Sequence, residues 1–172
     1  MYATIEKIKD YSTDRLVDIV KNYKQYGYSD ELRNDVLMLL EERGIDKETL
    51  ILQGNFSNDT YETSDNYYHL FQKYSTIAFI FHILSFLLQM ISVFDRDNSE
   101  AELLLVLSIA FGIMFLIFLI LSFIAQNNFY KTINKSISPA DLLIYFIVGL
   151  PFYFIAYFFY KNKMKEDLNN LR

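Results

Sequence analysis

Three apolar runs, at 75–94, 102–125 and 139–160, decide what this chain can fold into. Each is about 20 residues or longer, enough to cross roughly 30 Å of hydrocarbon at about 1.5 Å per helical residue. A chain of 172 residues is too small to bury three such runs in a soluble core. The expected fold class is therefore all-α: a small N-terminal helical bundle followed by three hydrophobic membrane-inserted helices. Around them lie a soluble module at 1–54, a polar linker and aromatic membrane-entry segment at 55–74, and a basic-to-polar C-terminal tail at 161–172.

The module announces its helices through their first residues. "YSTDRLVDIV" from Tyr11 and "YSDELRNDVL" from Tyr28 rhyme at a spacing of 17. Each puts Tyr-Ser before an acidic amphipathic run, so Ser12 and Ser29 read as N-caps with acids in the first turn. Tyr11 and Leu16 have the spacing of a hydrophobic staple; the second copy has Arg33 where the apolar partner would stand. In "EERGIDKETLILQG", Gly44 suits the left-handed position after a helix and Asp46 caps a short third helix ending before Gly54. Such a core is marginal by itself, which makes a protein partner, self-association or the membrane surface an expected support.

Residues 55–66, "NFSNDTYETSDN", are polar and turn-rich, and "YYHLFQKY" then brings rings and Lys73 to the membrane edge, as an interfacial aromatic belt requires. The Asn-x-Ser/Thr sequons at Asn55, Asn58 and Asn134 are what an Asn-rich sequence contains by chance. Seven residues, "DRDNSEA", join the first two apolar runs; they force a tight turn, and Ser99 with Glu102 has capping-box spacing. In the third run, Ser138 as cap, Pro139 at the first helical position and Asp141 form a helix start, and Pro151 predicts a kink near Gly149.

Polar side chains inside the apolar runs carry what functional signal there is. His82, Ser85, Gln89 and Ser92 recur at spacings of 3, 4 and 3 along one side of a helix. Because such groups are costly in lipid, they should face other helices or water. Tyr145, Gly149, Tyr153, Ala156 and Tyr160 form a second face that could pair with the first, and Ser108 with Gly112 permits a close helix approach.

Several chemistries are excluded. Cysteine is absent, removing thiolate metal sites and Cys nucleophiles. No H-E-x-x-H, G-x-S-x-G, P-loop or paired-carboxylate catalytic constellation is recognised. With a net charge of −5 and no basic stripe in the residues through Gly54, nucleic acid is not an expected partner. The expectation is a non-enzymatic integral membrane protein without metal or cofactor, a scaffold or accessory subunit whose helical module binds protein. The alternative is a homo-oligomeric channel or membrane-disrupting effector, with a path lined by His82, Gln89 and the tyrosines.

Orientation hangs on the basic residues. "MYATIEKIKDYSTDRL" has no secretory pattern, so the module is expected to be cytoplasmic. Three full crossings would then leave Lys73, Lys131 and Lys135 inside, with Arg96, Lys161, Lys163, Lys165 and Arg172 outside, against the positive-inside rule. Re-entry of the third run at Gly149-Leu150-Pro151 puts all but Arg96 inside. Irregular backbone in lipid is expensive, however, so three spans are the default expectation and re-entry the alternative.

Overall fold

The computed structural model describes residues 7–94, 100–138 and 149–171, with side chains from Phe152 onward in the last stretch. The described residues are helical with no strand among them, and divide into two compact units, Met1–Glu62 and Thr63–Arg172. The six helices with described bounds are α1 (Thr13–Asn22), α2 (Asp30–Glu42), α3 (Lys47–Leu52), α4 (Asp59–Phe94), α5 (Ala101–Thr132) and α6 (Gly149–Asn169).

In the first unit each helix begins where a short polar side chain meets an extended backbone. Ser12 accepts from the Arg15 amide at 3.4 Å, Ser29 from Leu32 at 3.3 Å, and Asp46 from Thr49 at 2.7 Å. Each bond satisfies an amide that the helix itself leaves unpaired. At the end of α2, Gly44 takes φ 83°, which lets the Ile45 amide reach back to the Leu40 carbonyl at 2.9 Å. Ile45 thereby packs on a core whose Leu16, Val20, Val36, Leu40 and Leu50 are wholly buried.

Two arginines fasten the ends. Arg43 donates to the Lys9 and Tyr11 carbonyls, each at 2.8 Å, holding the segment before α1 against the end of α2. Arg33 lies 4.4 Å from the Tyr23 ring centre and 4.1 Å from that of Phe56, and donates to the Phe56 carbonyl. At the position where an apolar staple partner would stand, the Arg33 guanidinium instead stacks on Tyr23 and Phe56.

The Thr49 hydrogen bonds hold the Asp46 carboxyl below the ordinary carboxylate value of about 4. A lowered folded-state value means that this cap stabilises α3 above the unfolded carboxylate pKa and stops doing so as pH falls through the folded one. In an NMR titration, the Thr49 amide is expected to shift with a midpoint below about 4. Asp46→Ala should abolish that shift and fray α3, whereas Asp46→Asn should abolish the shift but keep the helix.

Helix α4 starts earlier than the apolar pattern indicates. Asn58 caps it by accepting from Tyr61 at 3.0 Å, so residues 59–74, read from composition as linker and entry segment, belong to one helix that continues to Phe94. At the other end of its turn, Glu100 holds the N-cap position of α5 without a side-chain capping bond; Ser99 lies outside the described residues.

In the second unit α4 and α5 form an antiparallel hairpin. Ser92 Oγ donates to the Ala101 carbonyl and Ser85 Oγ to that of Ser108, each at 2.8 Å, while Phe81 meets Phe111 and Tyr74 meets Phe118. Gly112 faces α4 here: a Cβ added to it would sit 3.4 Å from Ser85 Oγ. Both helices are long and apolar enough to cross a membrane. Only 11% and 17% of their most apolar stretches are buried, which is unlike the core helix of a soluble protein.

Helix α6 runs parallel to α5. Tyr153 lies beside Ser122, Lys163 over Tyr130 and Asp167 against Lys135, so successive contacts advance along both helices together. Against α4 it runs the other way, with Tyr157 stacked on Phe71. Phe152 (φ −129°, ψ 45°) breaks the helix directly after Pro151. The kink therefore falls on Phe152, because proline supplies no amide to the preceding turn and crowds its carbonyl. Residues 161–169, expected as a tail, are helical, and Met164 and Leu168 continue the buried face of Tyr153, Ala156 and Tyr160.

Candidate functional site

Two places concentrate polar and aromatic groups: the hairpin interior and one flank of the first unit. Within the hairpin, the serines of the stripe are engaged with the neighbouring backbone. Ser85 and Ser92 bond carbonyls of α5, while Gln89 is exposed on the outer surface. His82 is half-buried with its imidazole against Phe115, ring centres 4.6 Å apart. Phe115 also meets Tyr153 edge-on at 5.7 Å.

Phe115 therefore contacts both His82 and the tyrosine face. The structure brings Tyr153 to Ser122, at 3.3 Å between oxygens, and buries Tyr160. Asp141 and Tyr145 lie outside the described residues. Ser138 is described, but the helix start it was expected to cap is not; for Gly149 and Pro151 only the helical backbone is described.

The sequence reading passed over the two polar residues buried deepest in α5. Ser122 and Gln126 are 0% and 1% exposed, and the Gln126 carbonyl oxygen has no hydrogen-bond partner among the described residues. Their signal was present: positions 108, 112, 115, 119, 122 and 126 alternate steps of 4 and 3, a single helix face. Following Ser108 and Gly112 about three to four turns further along the same face would have found them.

On the first unit, Tyr11, Arg15, Asp18, Tyr26 and Tyr28 line a groove beside α1. It joins the tyrosines of both Tyr-Ser motifs. Arg15 lies 4.3 Å over the Tyr11 ring and the Tyr26 hydroxyl donates to Asp18 at 2.7 Å. Rings, a guanidinium and a carboxylate at an open surface suit protein recognition, where Tyr and Arg supply much of the binding energy.

Among the described residues no group of three or more His, Asp or Glu side chains could hold a metal ion. No family model matches the chain, and no curated protein or solved structure is detectably similar to it.

Proposed function

We propose that this chain is a multi-pass membrane protein whose N-terminal helical module docks another protein, with the apolar helices serving as its anchor. The observation that carries this reading is the groove of Tyr11, Arg15, Tyr26 and Tyr28, built on a module with its own core. Weighing against a polar path are the apolar ring of Phe115, packed on both His82 and Tyr153, and the two serines bonded to backbone. No catalytic constellation supports an enzymatic reading.

The topology we propose has two full crossings, α4 and α5, with the third apolar run entering and leaving on one side. Supporting it, Lys135 Nζ stands 2.6 Å from the Asp167 carboxylate, although one residue precedes the third run and the other follows it. Phe152 adds a depth argument. Tyr153 is level with Ser122, nine residues or about 14 Å from Lys131 along α5, which is near the middle of a roughly 30 Å hydrocarbon layer. The apolar part of α6 beyond the kink covers only about half a bilayer before Lys161. On this topology the module, residues 133–138 and the C-terminus share the cytoplasmic side, and the basic residues follow the positive-inside rule.

The docking claim is tested by placing a photo-crosslinking residue at Tyr28 in the full chain in its own membrane. A discrete adduct of defined mass, lost when Arg15 is replaced by glutamate, is the expected result. No adduct, together with ionic conductance of the purified chain in planar bilayers that falls on His82→Leu, would support the channel instead.

A further inference from the structure

The outer surface of α6 changes character within two turns. Phe154 and Phe158 are exposed, and Lys161 and Lys165 follow at steps of 3 and 4, so all four fall on one stripe of the helix. The phenylalanines lie on the lipid-facing side of the proposed boundary and the lysines at its aqueous edge. Lys161 Nζ is 5.5 Å from the Tyr157 ring centre, an aromatic contact that keeps its aliphatic stem along the helix.

Neither lysine has an acidic partner among the described residues. The adjacent acids lie elsewhere: Asp167 pairs with Lys135, and Glu166 projects about 100° around the helix from Lys165. Two uncompensated cations thus stand one turn apart directly above two exposed rings.

We propose that this stripe is a binding site for an anionic diacyl phospholipid, with the headgroup phosphate between Lys161 and Lys165 and an acyl chain along Phe158 and Phe154. The inference rests on the two-crossing topology, which sets the water–lipid boundary at Lys161. A phosphate needs donors and positive charge, and an acyl chain needs an uninterrupted apolar surface beneath them; the stripe offers both in that order. A soluble anion would use the lysines but gain nothing from the rings.

The test uses the purified full chain in neutral detergent micelles, titrated with fluorescent phosphatidylglycerol. Saturable binding is expected, with phosphatidylcholine failing to compete and inorganic phosphate competing only weakly. A juxtamembrane lysine is worth about fivefold in affinity, so K161Q/K165Q should lose about 25-fold. K161R/K165R should keep most of the binding, which separates charge from folding, and F154S/F158S should weaken the lipid without strengthening competition by phosphate. Equal affinity in K161Q/K165Q, an equal loss in the control K131Q/K163Q, or phosphate competing as well as lipid would each overturn the proposal. Labelling of residue 170 reports the topology independently, so the failure of one claim is not read as failure of the other.

Discussion

Leu40→Ala is expected to unfold the N-terminal module while leaving the α4–α5 hairpin intact. Leu40 is wholly buried among Leu16, Val20, Val36 and Leu50. Truncating such a leucine costs about 2–5 kcal/mol through lost transfer energy and the cavity left behind. A core of this size rarely supplies more than about 3–5 kcal/mol, so one substitution removes most of it. Hydrogen exchange on the full chain in detergent checks this directly. The amides of α1, α2 and α3 should lose protection, and those of α5 should keep it. Met38→Ala, at a position 57% exposed on the same helix, should change stability by no more than about 0.5 kcal/mol. Protection surviving in Leu40→Ala would mean that the module leans on something other than this core.

The second large effect is expected at Tyr153. Its ring is 1% exposed, meets Phe115 edge-on, and sets its hydroxyl beside Ser122. On the proposed topology α6 lies in lipid, which is as apolar as leucine, so its docking depends on packing and interhelical hydrogen bonds rather than on hydrophobic transfer. Tyr153→Ala removes both and should cost clearly more than loss of the hydroxyl alone, because it leaves a cavity where the ring stood. Tyr153→Phe keeps the ring and should cost only about 0.6–1.7 kcal/mol. Spin labels at residues 134 and 170 give the readout: a narrow, short distance in the parent chain and in Tyr153→Phe, and a broad one in Tyr153→Ala. A narrow distribution in the alanine variant would show that the Lys135–Asp167 end holds α6 without the tyrosine.

How far the sequence reached can be judged helix by helix. Ser12, Ser29 and Asp46 were legible because capping is local: a short acceptor side chain and an amide three residues on suffice. Asn58 works in the same way, yet its cap was hidden among sequons and turn residues, since the helix it opens stays polar for about two turns before its aromatic and apolar part begins. The C-terminal helix was misjudged for a related reason. Lys161, Lys163 and Lys165 suggested a tail, although Met164 and Leu168 extend the Tyr153–Ala156–Tyr160 face at unbroken helical spacing. The kink was readable from Pro151; its place at Phe152 was not, because a proline disturbs a whole turn and packing decides which residue leaves the helical region.

The polar stripe shows a different limit. Periodicity gathers His82, Ser85, Gln89 and Ser92 on one side, of which Gln89 is exposed, but it cannot say what stands opposite. Phe115 packs on His82 and also meets Tyr153. A one-helix pattern carries no information about the register of the helix packed against it, and register decides whether a histidine meets a phenol or a ring.

The proposed topology is tested most directly by single cysteines, since the chain has none of its own. Cysteines placed in turn at Asn98, Asn134 and Asn170 of the full chain in sealed vesicles can be labelled by a membrane-impermeant maleimide. The two-crossing account predicts that residues 134 and 170 react from the same side and residue 98 from the other. Residue 170 reacting from the side of residue 98 would mean a third full crossing, and would contradict it.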